Sequence, residues 1–215
     1  MADSQRQRLE SGLAELACTI DSERIDLLLA YLHLMMRWNK AFNLTAIRDP
    51  REMVVRHLLD SLAINDLIKE RRLIDVGTGP GLPGVPLAIV EPQRHISLLD
   101  SNGKKSRFLF QVKTQLGLTN IDILNSRVEN YSPDRLFEGV VSRAFTRLSN
   151  MVSTCRHLLG DNGRLYAMKG SDVQAELDEL ADDVHIIACH DVRVPGLDEP
   201  RYVVELAVKR SQSKG

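Results

Sequence analysis

Residues 73 to 84, Leu-Ile-Asp-Val-Gly-Thr-Gly-Pro-Gly-Leu-Pro-Gly, break a short apolar run into four glycines and two prolines, where a strand ends and a nucleotide site could begin. Two chemistries fit. Gly79 to Gly84 spells GxGxxG, the fingerprint that seats a dinucleotide pyrophosphate on a helix N-terminus. Asp75 to Gly81 spells an acidic residue followed by xGxGxG, the turn that holds S-adenosylmethionine (SAM). In the first reading Pro80 and Pro83 fall inside the phosphate-binding turn, and each removes a backbone N–H that could donate to phosphate. In the second, Gly77, Gly79 and Gly81 give close backbone approach and Pro83 can open the next helix. Asp75 favours SAM, because an ionised carboxylate suits the methionine ammonium and the sulfonium and would repel a pyrophosphate. Asp100, at the end of His-Ile-Ser-Leu-Leu-Asp, is placed to accept from ribose hydroxyls, which either ligand offers. A structural role stays open for Asp75 as a strand-end residue that caps a turn.

SAM carries its own electrophile, so the enzyme must align a nucleophile and exclude water. Methylation of an exocyclic amine goes with an Asn/Asp-Pro-Pro-aromatic turn after the fourth strand, and methylation of a pyrimidine carbon needs a cysteine nucleophile there. This chain has Val-Val-Ser-Arg-Ala-Phe-Thr-Arg-Leu at 140–148 and neither device. Arg143, Phe145 and Arg147 supply charge and an aromatic face. They suit a base whose nucleophilic nitrogen already bears a free lone pair, such as guanine N7, with arginine holding the guanine edge or a phosphate. A salt bridge from Arg143 to a carboxylate is the plainer alternative. His57 reads as a packed core histidine, since attack by N7 needs no base.

The elements that must position these residues fall into two parts. Residues 5 to 70 lack strand alternation, and Ile25, Leu28, Leu29, Leu32 and Met36 recur at helical spacing. A second helix is expected from near Arg51, after Asp49-Pro50, through Ile68. From Arg72 onward, apolar runs at 72–77, 95–100, 120–125, 139–144 and 163–170 alternate with helical stretches near 83–92, 103–117, 147–159 and 172–182, the pattern of βαβ units in a parallel sheet. The runs at 184–194 and 201–209 are joined by Pro195 to Pro200, too short for a crossover helix, so they should be antiparallel. The expected fold is α/β, a Rossmann-like class I SAM-dependent methyltransferase with a mostly parallel seven-stranded sheet and an antiparallel last strand. The expected organisation is a helical segment over 1–70 packed on the core, the methyltransferase domain over 71–210, and a flexible tail over 211–215.

With 215 residues, 43% hydrophobic and 27% charged, the chain suits one full core. The polar N-terminus has no apolar stretch for a signal peptide, and no run approaches the ~20 apolar residues that span a bilayer, so a cytoplasmic protein without membrane contact is expected. Cys18, Cys155 and Cys189 have no metal-ligand spacing and read as reduced, mostly buried thiols, with no metal site. The net charge of −1 argues against bulk coating of nucleic acid. Charge is nonetheless segregated: residues 101–121 hold Lys104, Lys105, Arg107 and Lys113 and no acid, whereas residues 172–183 hold six acids and no base. One face could meet a polyanion while another repels it.

The stretches Arg37 to Leu62, Ile74 to Val90, Leu98 to Leu109 and Val140 to Phe145 together closely resemble the bacterial ribosomal RNA small subunit methyltransferase G family, once called glucose-inhibited division protein B. The resemblance runs from about Leu27 to Val208. It implies SAM as cofactor and N7 methylation of a guanosine in 16S rRNA, in a loop close to the decoding site, with the small subunit or its precursor as partner. By the same resemblance Gly77 and Leu82 match the SAM-binding loop, Val128 and Glu129 the adenine-side pair, and Arg143 a ligand-contacting arginine. Asp100 matches the ribose acid, and Arg127, Lys169 and Arg201 match basic positions near the RNA. A monomer is expected, because a two-fold partner would compete with so large a substrate. A nucleotide-binding dehydrogenase and a silent RNA-binding module remain rival readings.

Overall fold

The computed structural model describes residues 2–143, 145, 147–170 and 173–208; the 211–215 tail lies outside the described residues. Seven strands form one sheet: β1 Arg72–Val76, β2 His95–Leu99, β3 Ile121–Leu124, β4 Phe137–Ser142, β5 Leu159–Lys169, β6 Val184–Asp191 and β7 Tyr202–Val208. Their order is β3-β2-β1-β4-β5-β7-β6. The first five pair in parallel, and β7 lies antiparallel between β5 and β6. The two last runs therefore pair as their short connection requires. The first strands read as near-continuous apolar runs because helices cover both faces of a parallel sheet.

Alternate side chains of β1 enter different cores. Leu73 joins Leu98, Val141 and Met168 on one face, and Ile74 joins Val140, Leu165 and Val204 on the other. The first face is covered by α1 Ala2–Glu15, α2 Ser22–Phe42, α5 Gly84–Val90 and α6 Gly103–Leu116. The second is covered by α7 Leu148–Cys155 and α8 Val173–Asp178. Leu28, Leu32 and Met35 of α2 are fully buried in the first core, each such side chain worth about 1.5–3 kcal/mol of transfer free energy.

The helix expected from Arg51 to Ile68 is shorter and irregular. It starts as α3 Pro50–Met53, capped by Asp49, whose carboxylate accepts from the N–H groups of Arg51 (2.7 Å) and Glu52 (3.1 Å). It then widens to π geometry over Val54–Leu59 and ends as α4 Asp60–Leu62. The widened turn lets one stretch bury Val54, Val55 and Leu58 in the core while the Arg56 carbonyl and Asp60 meet Arg143. Periodicity cannot announce such a turn, because the apolar spacing survives it. Among the thiols, Cys155 is buried and Cys18 half-buried, but Cys189 on edge strand β6 is exposed, which corrects the expectation of mostly buried cysteines. Among the described residues no helix is long and apolar enough to cross a membrane.

Candidate active site

The glycine turn leaves β1 at the carboxyl edge of the sheet, where open α/β sheets bind ligands. Gly77 and Gly79 take φ of 70° and 62°, in the left-handed region that side chains rarely adopt. The N–H groups of Gly77 and Thr78 donate to the Leu99 carbonyl, at 2.9 and 3.1 Å, which ties the turn to the end of β2. Gly77 is exposed, and a Cβ built on Gly79 would meet only the Lys105 ammonium, 3.8 Å away, among side chains. Gly77 therefore leaves backbone open to a ligand, whereas Gly79 is buried with its N–H engaged by Asp100 and only leaves room at its Cα.

Gly81 and Gly84 serve a different end. A Cβ on Gly81 would come within 2.5 Å of Val85 Cγ2 and 2.9 Å of Leu109 Cδ2; one on Gly84 would lie 2.3 Å from Leu98 Cδ2. Gly81 was expected among the cofactor contacts. Its place is instead inside the core, where a bare backbone lets α5 and α6 close on the sheet. Leu82 is likewise 2% exposed and belongs to that core.

Asp75 is fully buried, and its Oδ2 accepts from Thr78 Oγ1 (2.6 Å) and Gly84 N–H (2.8 Å). It braces the turn, the alternative open from the sequence, and an open carboxylate beside a ligand ammonium is not what the packing provides. Its Oδ1 is buried without a hydrogen-bond partner among the described residues. Burial pushes its carboxyl up to about 6, against the hydrogen bonds from Thr78 and Gly84 and the charge of Arg143, which lower it.

Asp100 follows β2 directly, is 8% exposed, and accepts from the N–H of Gly79 (2.9 Å, Oδ2) and of Asn102 (2.8 Å, Oδ1). Lys105 Nζ lies 3.5 Å from Oδ2. Asn125, after β3, donates to the Asp100 carbonyl at 3.0 Å. Past it, Val128 and Glu129 sit in a single 3₁₀ turn, Val128 half-buried against the second core and Glu129 exposed. Gly77, Gly79, Asp100, Val128 and Glu129 thus stand on the ends of β1, β2 and β3, a row that could hold the methionine, ribose and base of a nucleoside cofactor in turn. A buried hydroxyl supports the row from beneath: Tyr31 of α2 donates to the Pro80 carbonyl at 2.8 Å.

Beyond the end of β4 lies a second feature, an open cavity of about 500 Å³. Its centre is Asp60, 3% exposed, whose Oδ2 accepts from Arg143 Nη1 at 3.0 Å and whose Oδ1 accepts from Arg201 Nε at 3.1 Å. Arg143 Nη1 also donates to the Arg56 carbonyl at 3.0 Å. The acid fixes two guanidinium groups from chain segments that have no sequence proximity. His57 shares the wall, its Nε2 3.0 Å from Thr45 Oγ1, and burial, followed by the charge of Arg143, pushes its imidazole down to about 4. It is therefore neutral at pH 7.

The expected basic rim is only partly present. Arg143 and Arg201 line the cavity together, as does Lys169. Lys169, however, is 9% exposed and pairs with Glu176 at 2.7 Å, so it is a buried, partnered cation and not a solvated contact. Its length lets it reach a carboxylate from the end of β5. Phe145 does not face the cavity; its half-buried ring packs against the second core, which supplies the apolar partners a phenyl ring prefers. Arg127 is exposed beside the 3₁₀ turn, apart from the cavity lining. Arg147 pairs on the surface with Glu179. Sequence reasoning missed Asp60, Tyr31 and Glu176. An acid set among Leu58, Leu59 and Leu62 was the one available signal, for Asp60.

Comparison with known proteins shows the family of the chain. The sequence profile described as rRNA small subunit methyltransferase G matches residues 24–204. The chain belongs to that family. Among curated relatives, the ribosomal RNA small subunit methyltransferase G of Saccharophagus degradans is 49% identical over 209 residues, 97% of this chain and 94% of that protein. That of Stutzerimonas stutzeri is 47% identical over 208 residues, covering 96% and 97%. Solved structures agree on the fold: M. jannaschii TYW2 in complex with AdoMet has a TM-score of 0.54 at 12% identity, covering 70% of this chain and 76% of that one. An rRNA methylase from Streptococcus thermophilus has a TM-score of 0.50 at 13% identity, covering 71% and 95%. The fold is the class I methyltransferase sheet that the strand pattern implied.

Proposed function

We propose that the protein transfers a methyl group from SAM to N7 of a guanosine in 16S rRNA, in a loop close to the decoding site, and that it acts as a cytoplasmic monomer on the small ribosomal subunit or its precursor. The observation that carries the reading is the position of Arg143. It lines the cavity and directly follows β4, the strand that pairs with β1 under the glycine turn, where Val141 is opposite Asp75. In this reading the substrate half adjoins the cofactor half across two neighbouring strands, with Arg143 on the substrate side.

The residues fit the cofactor. Gly77 offers open backbone, Gly79 leaves room where a side chain would stand, Asp100 sets a nearly buried carboxylate beside Gly79, and Val128 and Glu129 continue the row toward an adenine. When bound, SAM supplies an electrophilic methyl on a sulfonium. An N7 lone pair would accept that methyl without prior deprotonation, with the thioether product as the leaving group, so no residue of the chain would have to remove a proton. A neutral His57 agrees with that. Asp60 and the Arg56 carbonyl hold Arg143 through Nη1, leaving the planar fork oriented to hold the guanine O6 edge or an adjacent phosphate. Arg201 adds charge on the same wall. The chemistry asks mainly for alignment, which such a clamp supplies.

The test is transfer of labelled methyl from SAM to small subunits isolated from cells that lack this enzyme, with naked 16S rRNA alongside. The expected label lies at N7 of one guanosine, located by strand scission at the methylated base. Label on another atom, or on neither substrate, would overturn the reading.

A further inference from the structure

The basic run that the site did not absorb lies on a different face. Residues 27–48, covering most of α2 and the turn after it, contain Arg37, Lys40 and Arg48 and no acid; residues 101–121, which carry α6, contain four more bases and no acid. The two segments pack together, with Trp38 edge-on to Phe108 at 5.6 Å between ring centroids. Two adjoining open grooves of about 650 and 430 Å³ run between them and share Arg37 and Gln115. Phe42 lines the second groove and is 43% exposed; Phe110, next to groove-lining Gln111 on α6 but outside both linings, is 55% exposed. Arg107, Phe110 and Gln111 occupy one side of α6 at i, i+3 and i+4. Among the described residues none of Arg37, Lys40, Lys104 and Arg107 has a carboxylate within ion-pair distance.

Exposed aromatic rings among unpaired cations match one class of partner. Stacking an unpaired base on a phenyl ring is worth about 1–3 kcal/mol, and each phosphate contact makes affinity fall with salt. A lipid surface would favour aliphatic side chains on such a face, and the exposed Ile186 and Ile187 are on β6 instead. The face also abuts the site at both ends. Phe42 precedes by three residues Thr45, which lines the Arg143 cavity, and Lys105 of α6 reaches Asp100 beside the glycine turn.

We propose that the α2–α6 face is a second RNA contact, on which unpaired nucleotides flanking the modified guanosine stack on Phe42 and Phe110 while Arg37 and Arg107 pair with phosphate. The inference rests on the rRNA reading above, and its test is separable from it. Binding of a fluorescein-labelled single-stranded RNA of about 12 nucleotides is measured by anisotropy for three proteins: wild type, F42A/F110A and R37Q/R107Q. Both variants should keep the wild-type melting temperature and SAM affinity. F42A/F110A should weaken RNA binding about 30-fold or more with an unchanged salt slope, the scale of two lost stacks. R37Q/R107Q should weaken it and make the slope of log K against log salt shallower by about 1.4, two single-strand phosphates at roughly 0.7 each.

Unchanged affinity in both variants would overturn the proposal. So would a loss in R37Q/R107Q with none in F42A/F110A, which would leave only diffuse attraction of a polyanion. Binding of a polyglutamate peptide as tightly as the RNA, lost in the same variants, would overturn it in favour of an acidic protein partner. Failure of wild type to methylate small subunits would instead sink the rRNA reading, whatever the anisotropy shows.

Discussion

The glycine turn and the Arg143 cavity sit at neighbouring strand ends but are built in opposite ways. The turn is local: ten consecutive residues, Asp75 to Gly84, brace one another, with Asp75 bonding Thr78 and Gly84. The cavity is assembled at a distance. Asp60 is 83 residues from Arg143 and 141 from Arg201, and the three meet only because the π-widened helix is folded against the end of β4. A cofactor that many methyltransferases share can be met by a local motif, whereas recognition of one nucleic-acid substrate draws side chains from several elements.

If the cavity depends on Asp60, its removal should have the largest effect on the fold. Asp60→Ala leaves two guanidinium groups facing each other without their acid, and a loss of about 3–5 kcal/mol is expected, read from denaturant unfolding. A loss under about 1 kcal/mol would show that solvent already screens the pair, and the cavity would then be a surface feature.

Acid distinguishes the two halves next. Burial lowers the His57 value from 6.5 to about 4, so the unfolded chain binds more protons in that window and stability falls as pH drops through it. Asp75 has the opposite sign: raised from 3.8 to about 6, it holds a proton in the folded state that the unfolded chain has released, and so stability falls as pH rises from 3.8 to 6. His57→Gln should therefore gain on wild type as pH falls from 6.5 to 4, by on the order of 3 kcal/mol in all. A constant difference across that range would mean that His57 titrates normally and the cavity wall is open to water.

The smallest expected effect is on the cofactor side. Asp100→Asn should weaken SAM by about 1.5–3 kcal/mol in a calorimetric titration, the worth of charged acceptors for ribose hydroxyls. A loss below about 0.5 kcal/mol would confine Asp100 to bracing Gly79 and place the sugar elsewhere.

These contrasts also explain what could be read from the sequence. The strands were legible because a sheet covered on both faces writes its burial as unbroken apolar runs, and the turn was legible because positive φ at Gly77 and Gly79 demands glycine. The division of labour within the turn was not, since only packing shows that Gly81 and Gly84 face Val85, Leu109 and Leu98 while Gly77 faces outward. In the cavity, the structure brings Arg143 and Arg201 together, while it packs Phe145 against the second core and pairs Lys169 with Glu176. A phenyl ring can stack on a base or enter a core, and a lysine can meet phosphate or a carboxylate such as Glu176. Sequence spacing carries no trace of which contact wins when the partners are tens of residues away.

The claim that binds the two halves is that Arg143, held by Asp60, orients the base beside the cofactor. It is tested most directly by the turnover of Arg143→Lys at saturating SAM and small subunits, with melting temperature and SAM affinity measured on the same preparation. Lysine keeps the charge but not the planar fork, so kcat should fall about 100-fold or more while fold and SAM binding are retained. Full turnover by Arg143→Lys would contradict the account and leave Arg143 as one positive charge on the wall of the cavity.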